Sequence, residues 1–370
     1  MTSNQITIDR RSIERAVRGD DFIEIWLAFR TRDCSREELV HALNIADERL
    51  DLICTGPAIT PDGFAFGLST SKEGLQSWLA HLVEELSAVG VSGLIQAAEE
   101  ARVGAWPTDD ATPAGFLAWS HQINPDVTAV ERQSHWHVEP AATKAITQHA
   151  AGWTAGGGDH SIVHLGLFSM ALAPDADVSP IMEASLARNQ NTACIRYRPE
   201  ERSGRTAYLS SGGEGILQVI GASVPWQHRV DATRTGLLTC PTEDLNLAFI
   251  RPATPRAQFW SSIHMRQELP NLLEHNIRYN RHLLSHYTPD AHGIQILTGN
   301  HLELANDLAA WKTKKIGPDR YLVEAPDLAP WYSEPLPNDE AVDQARRDFG
   351  DMILTKKTIA ANPPPWKPAA

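Results

Sequence analysis

The order of apolar segments between residues 22 and 98 constrains the fold more than any other feature of the sequence. FIEIWLAF (22–29) is a continuous apolar run, which is typical of a strand covered on both faces. LICTG (52–56), FAFGLS (64–69) and VSGLIQAA (91–98) indicate three further strands. With helices after the first and third strands, the order is strand, helix, strand, strand, helix, strand. This is the split βαβ or ferredoxin-like plan, an antiparallel sheet with two helices on one face.

Local signals place the two helices of this plan. Ser35 and Glu38 form one capping box, and Thr70 and Glu73 form another. Gly90 is placed as the residue that ends the second helix. Between its start and its end, apolar residues repeat at helical spacing and predict one buried face; they are Leu75, Trp78, Leu79, Leu82, Val83 and Leu86.

Changes of pattern along the chain predict its division into domains. WPTDDATPAG (106–115) is a polar break bearing Pro and Gly, and the block after it is richer in strands, with an order that partly echoes the first block. The predicted segments are a flexible lead-in at 1–20, a ferredoxin-like α+β domain at 21–105, a sheet-rich α+β domain at 115–255, a helical and hairpin C-terminal module at 256–355, and a Pro-rich tail at 356–370. The fold class is therefore α+β, with a second mixed, largely antiparallel sheet.

The C-terminal module is predicted element by element. Residues 266–287 are expected to form a helix and residues 292–299 a strand. A hairpin is predicted across Pro318-Asp319, and a final helix over 338–354 begins with Asn338 as its N-cap.

Composition limits the partners. The 370 residues carry a net charge of −13, which argues against general binding to nucleic acid or to an anionic membrane. No apolar segment is long enough for a membrane span, and the four cysteines form no CxxC pair. We therefore expect a cytoplasmic protein whose partner is a protein or a small molecule. Pairing of its sheets with those of a second subunit, as a homo-oligomer, stays open.

The stretch GWTAGGGDHSIVHLGLF (152–168) combines three glycines with an Asp-His pair and a second His. A phosphate cradle requires its glycines after a strand and before a helix, whereas here a helix predicted at about 140–151 comes first. We expect the glycines to end that helix and to open a strand. Alternation along the strand would place His160 and His164 on one face, and SHWHVEP would do the same for His135 and His137.

These four histidines, with Asp159, are the first candidate metal site. Paired imidazoles from two strands could ligate Zn or Fe, or belong to a haem enzyme; the cofactor itself is unknown. The commoner interpretation is that they are half-buried side chains bonded to the backbone.

EHNIRYNRHLLSHY (274–287) contains the second candidate cluster, His275, His282 and His286, which share one face of a helical wheel. Arg278 and Arg281 lie on another face and could bind a carboxylate or a phosphate of a ligand or partner. The commoner interpretation is a helix edge with polar rings at the boundary of the core.

Two functions remain from the sequence. Trp331 lies beside proline, and Trp366 lies in the tail PPPWKP (363–368), which could dock on a partner as an extended segment. No phosphate loop, dinucleotide fingerprint or nucleophile motif is present, so the first hypothesis is a binding or assembly protein without catalysis of its own, which recognises a protein partner or a small apolar ligand. The alternative is a metal- or haem-dependent enzyme that uses the middle-domain histidines.

Overall fold

The computed structural model describes residues 6–17, 23–31, 53–60, 63–88, 90–98, 111–119, 122–123, 136–137, 140–165, 168–172, 175–187, 191–198, 200–210, 212–221, 223–241, 243–253 and 281–362. The fold is mixed α and β, with a large, mainly antiparallel sheet. Contacts divide the chain into two compact units. Unit 1 comprises Met1–Ala105 with Ile162–Ala173, and unit 2 comprises Trp106–Ser161 with Pro174–Ala370.

Strands and helices of the described residues are numbered in chain order. The strands are β1 (Ile6–Ile8), β2 (Ile23–Arg30), β3 (Ile53–Thr60), β4 (Gly63–Thr70), β5 (Gly93–Ala97), β6 (Thr112–Trp119), β7 (Gln122–Ile123), β8 (Trp136–His137), β9 (His160–Leu165), β10 (Phe168–Leu172), β11 (Thr192–Arg198), β12 (Ser203–Leu209), β13 (Glu214–Ile220), β14 (Leu245–Ala253), β15 (Ile294–Leu297), β16 (Lys312–Gly317) and β17 (Arg320–Glu324). The helices are α1 (Arg10–Ala16), α2 (Lys72–Ala88), α3 (Pro140–Ala155), α4 (Ser179–Ala187), α5 (Trp226–Leu238), α6 (Gly299–Leu304), α7 (Ala329–Tyr332), α8 (Asp339–Phe349) and α9 (Lys356–Ala361).

In unit 1, four strands lie in the order β5-β2-β4-β3, and each neighbouring pair is antiparallel. β1 extends this set by pairing in parallel with β5, and β10 pairs in parallel with β3. The residues expected to be a loose lead-in include β1 and α1. The Asp9 side chain caps α1 by accepting from the Ser12 N–H, and β1 pairs with the edge of β5.

Helix α2 covers the core of unit 1 with the predicted apolar face. Its buried residues are Leu75, Trp78, Leu79, Leu82 and Leu86, whereas Val83 is only half-buried. Gly90 has a φ of 77° and ends the helix as predicted. The start differs from the prediction by one residue, because the Ser71 hydroxyl, and not that of Thr70, accepts from the Gly74 N–H. Residues 35–50, which carry the other predicted helix, lie outside the described residues.

In unit 2, eight strands lie in the order β11-β12-β13-β6-β14-β15-β17-β16, and all neighbouring pairs are antiparallel. Helix α3 packs on β11 and β12, and α5 packs on β6, β13 and β14. Four of these strands, in the order β14-β6-β13-β12, repeat the arrangement of β5-β2-β4-β3, namely fourth, first, third and second along the chain. The two sets of four strands therefore share one strand order.

The last part of unit 2 agrees with most local predictions. β16 and β17 form the predicted hairpin across Pro318-Asp319, and β15 lies within the predicted strand. Asn338 accepts hydrogen bonds from two N–H groups of α8 and is its N-cap. The helix predicted at 266–287 is wrong at its end, where Arg281–Ser285 form a 3₁₀ helix, and residues 254–280 lie outside the described part. Residues 356–361 of the expected tail form α9.

Candidate functional site

The three glycines end α3 and precede β9, as predicted. Helix α3 reaches Ala155, and β9 begins at His160. A Cβ atom at Gly157 would lie 2.7 Å from the backbone nitrogen of Arg205 and would also clash with the carbonyl oxygen of Arg196. The end of α3 therefore lies directly on the backbone of β11 and β12, and this close approach is what requires glycine.

A cavity of about 500 Å³ that is open to solvent lies in unit 2, with the C-terminal half of α3 on one side and α5 on the other. We call it the α3–α5 cavity. Its lining combines one aromatic ring with charged, hydroxyl and small residues, which are His149, Gly152, Trp153, Arg205, Asp231, Ala232, Thr235, Gly236 and Thr239.

Arg205 and Trp153 both line the cavity and contact each other. The Arg205 guanidinium stacks 4.7 Å from the centroid of the Trp153 ring, and its Nη1 donates to the Trp153 carbonyl oxygen over 3.2 Å. The ring is fixed in turn, because its Nε1 donates to the Thr206 carbonyl oxygen over 2.9 Å. Burial lowers the pKa of Arg205, although a guanidinium remains charged near neutral pH. No ion pair between Arg205 and a carboxylate is present among the described residues.

His149 lies at the wall beside Gly236. Burial lowers the pKa of His149, and a hydrogen bond to the Gly236 backbone opposes that effect in part, so the ring is neutral at pH 7. Its Nε2 atom is buried and has no hydrogen-bond partner within the described part of the chain. Because Nε2 has almost no accessible surface, it does not face the space inside the cavity.

The other polar groups of the cavity are occupied. Asp231 pairs with Arg234 at 3.0 Å, and Arg234 also pairs with Glu324 at 2.9 Å. The hydroxyls of Thr235 and Thr239 donate to carbonyl oxygens of α5 itself, at 2.8 and 3.0 Å. Arg205 is thus the lining residue with donors to spare.

A second cavity of about 350 Å³ lies along α3 next to α4. Arg196, 8% exposed, is part of its lining and donates from Nη2 to the Ala176 carbonyl oxygen over 2.7 Å. Hydrogen bonds from Ser179, with a smaller contribution from the charge of Arg196, lower the pKa of Asp177. Arg196 is directly opposite Arg205 in the register of β11 and β12, so both side chains lie on the same face of the sheet, which α3 covers.

The first candidate metal cluster is described only in part. His160 and Asp159 are both exposed, with His160 Nε2 4.0 Å from the nearer Asp159 carboxylate oxygen. His164 is half-buried four residues along β9. His135 and the side chain of His137 lie outside the described residues. Within the part that is described, no three His, Cys, Asp or Glu side chains come together as a metal site would require, so this cluster stays a prediction.

The second cluster does not lie on an α-helix where it is described. His282 belongs to the 3₁₀ helix and His286 follows it, because the turn here is tighter than the helical wheel assumes; His275 lies outside. Burial lowers the pKa of His282, while the His286 Nδ1 lies 2.8 Å from the Ser285 hydroxyl. The sequence missed His301, which is fully buried nearby and whose pKa burial lowers to about 3.

Two residues predicted to contact a ligand or partner are instead interior. Arg281 is 7% exposed and pairs with the buried Glu214 at 2.9 Å, while its Nη1 donates to the Gly212 carbonyl oxygen. Trp331 is 3% exposed and packs edge-on against Trp311. Both predictions are corrected, because these two side chains are buried and contact other residues of the protein interior. Arg278 and Trp366 lie outside the described residues.

Comparison with known proteins leaves the site to be interpreted from its own chemistry. No protein-family model matches the chain, and no curated protein matches it. Among the helices that are described, none has the length and apolar character needed to cross a membrane.

Proposed function

We propose that this protein binds a small, partly apolar molecule in the α3–α5 cavity and has no catalytic activity of its own. The observation that carries the proposal is the cavity itself. Its volume of about 500 Å³ falls within the range of roughly 300–1,000 Å³ that is usual for small-molecule sites. A fixed aromatic ring with a few polar groups around it is also the usual composition of such sites.

The bonding of the lining residues favours binding over catalysis. A nucleophilic hydroxyl needs a base within hydrogen-bond reach. The Thr235 and Thr239 hydroxyls are instead bonded to carbonyl oxygens of α5.

Gly152 allows a direct test, because nothing lies within 4 Å of the position its Cβ would take. Gly152 is exposed and lines the second cavity as well, and we expect Gly152→Leu to narrow the α3–α5 cavity without a clash. Lys144→Leu, at an exposed position of α3 that does not line the cavity, is the matched control.

Ligand-observed NMR with a set of neutral and anionic aromatic fragments measures the outcome. We expect fragments to bind the wild type and Lys144→Leu but to lose binding to Gly152→Leu. Equal binding to all three proteins would contradict the cavity as the site, as would an absence of fragment binding to the wild type.

The alternative function, a metal- or haem-dependent enzyme, is supported by the pairing of His160 with Asp159, which could orient a ligating imidazole. Elemental analysis and an absorption spectrum of the purified protein test it. Stoichiometric metal or a Soret band, lost when His160 and His164 are replaced, would favour the enzyme and exclude the first proposal as the whole function.

The finer structural predictions are also proposals. A ferredoxin-like domain in unit 1 is supported by the antiparallel order β5-β2-β4-β3, and requires residues 35–50 to be helical. NMR chemical shifts of those residues would decide that point. A cytoplasmic location is supported by the free thiols of Cys194 and Cys240.

A further inference from the structure

We propose that the ligand of the α3–α5 cavity is an organic anion, a carboxylate on a flat apolar body, and that Arg205 is the residue that recognises it. The inference rests on the proposed function and adds the chemical class of the ligand. It comes from how the Arg205 donors are distributed, from the residue opposite Arg205, and from the ring on which it lies.

The guanidinium has more donors than the protein uses. Arginine carries five N–H groups in one plane. Among the described residues, Arg205 donates one side-chain hydrogen bond, from Nη1 to the Trp153 carbonyl oxygen. Stacking on Trp153 covers a face of the guanidinium and leaves its edge, where the N–H groups point, available to a carboxylate.

Arg205 itself has no carboxylate paired with it among the described residues, and a second arginine lies opposite it. Arg196 and Arg205 are directly opposed on β11 and β12, an arrangement in which like charges destabilise the sheet. Burial has already lowered the pKa of Arg205, which reports that the charge is partly removed from water. The one carboxylate that lines this cavity, Asp231, is paired with Arg234. A bound anion would supply the missing countercharge.

Trp153 is only 7% exposed, with Arg205 over one face and Gly236 packed against the ring, so the apolar wall that a ligand would meet consists mainly of the small residues of α5. Trp153 is held by its hydrogen bond to the Thr206 carbonyl oxygen, and Gly236 and Ala232 add small residues beside it. A Cβ at Gly236 would lie 2.8 Å from the indole ring, so a larger side chain there would displace the ring from its position. A planar ring fits this wall better than a branched chain.

Benzoate and benzamide form the test pair, because they share shape and differ in charge. Isothermal titration calorimetry on the full chain compares the wild type with Arg205→Gln, Arg205→Lys and Arg198→Gln. Arg198 is an exposed arginine on β11 and controls for the loss of one positive charge. We expect the wild type to bind benzoate about tenfold or more tightly than benzamide, the usual effect of a charge-assisted hydrogen bond.

The variants separate the explanations. Arg205→Gln should lose the preference for benzoate, Arg205→Lys should keep part of it, and Arg198→Gln should keep all of it. Circular dichroism and the melting temperature check that Arg205→Gln is folded. If it is not, Gly152→Leu, which keeps Arg205, should abolish benzoate binding.

Two results would overturn the inference by itself: equal binding of both probes that Gly152→Leu abolishes, or a benzoate preference that persists in Arg205→Gln. In the first of these the proposed function stands and only the charge of the ligand is wrong. Benzoate binding that Gly152→Leu leaves intact, or no binding of either probe to the wild type at about 1 mM, would count against the inference and the proposed site together.

Discussion

Helices α2 and α5 occupy equivalent places in the two units but pack in different ways. Each follows the third strand of its four-strand set and leads to the fourth. Helix α2 buries one tryptophan and four leucines, whereas α5 buries Val230, Thr233, Gly236 and Leu237. Among the described residues, α2 thus buries mainly large apolar side chains, whereas α5 buries smaller ones and lines a cavity.

Small residues on both sides of the contact explain the α5 arrangement. A Cβ at Gly115 of β6 would lie 2.9 Å from the side chains of Thr233 and Leu237, so this glycine lets α5 approach the sheet closely. Gly236 in turn meets the Trp153 ring of α3. No large side chain of α5 enters the space that the α3–α5 cavity occupies.

The comparison makes α2 the element that tolerates truncation least. Trp78 is 1% exposed, and Trp78→Ala should lower the free energy of unfolding by about 4 kcal/mol, since it removes a large buried ring and leaves a void. Gln76→Ala, at an exposed position of the same helix, should change it by less than about 0.5 kcal/mol. Urea denaturation of the full chain measures both. A loss below about 1 kcal/mol for Trp78→Ala would mean that α2 does not seal the core as described.

Unit 2 also buries charge, and this should make it sensitive to acid. Asp290 is 1% exposed, and both its carboxylate oxygens accept from Arg346, at 2.8 and 2.7 Å. Burial alone raises the pKa of Asp290, but these hydrogen bonds and nearby positive charge outweigh it and hold the pKa below its ordinary value. Asp290→Asn should cost about 3 kcal/mol at pH 7, because it leaves Arg346 without its buried partner.

The sign of the pH dependence follows from the two lowered pKa values. His301, with a pKa of about 3, stabilises the fold above the ordinary histidine value of about 6.5 and loses that contribution as the pH falls toward 3. Asp290 adds its own loss only at lower pH, below about 4. The free energy of unfolding, measured by urea denaturation between pH 7 and pH 4.5, should therefore fall by up to about 1.4 kcal/mol per pH unit for each such histidine. His301→Gln should reduce the slope, and His228→Gln, at an exposed position of α5, should not.

The smallest effects come from a pair of glycines at the cavity. Gly236→Ala places a methyl group 2.8 Å from the Trp153 ring and should cost about 2 kcal/mol. Gly152→Ala meets nothing within 4 Å and should stabilise α3 by somewhat less than about 1 kcal/mol, since alanine favours helix. Thermal denaturation should move the two variants in opposite directions. A change of melting temperature with the same sign in both variants would contradict the inference that Gly236 lies at a packed side of the cavity and Gly152 at an open side.

Features with a local cause were predictable from the sequence. The apolar face of α2, the end of that helix at Gly90, the Asn338 cap and the β16–β17 hairpin all depend on residues within a few positions of one another. The order of helix and strand around the three glycines belongs to the same class.

Features that join distant segments were not predictable in this way. The pairing of β6 with both β13 and β14 and the burial of Arg281 against Glu214 depend on contacts across many residues. The candidate site has the same character, because Trp153, Arg205 and Gly236 come from two helices and a strand. No signal near Arg205 in the sequence marked it, because its contacts with Trp153 join segments that are about fifty residues apart.

The glycines at the end of α3 have a mechanical consequence. Because Gly157 touches the main chain of both β11 and β12, the contact involves no side chain that could change rotamer to absorb movement. A tilt or shift of α3 is therefore transmitted rigidly to the two strands that carry Arg196 and Arg205.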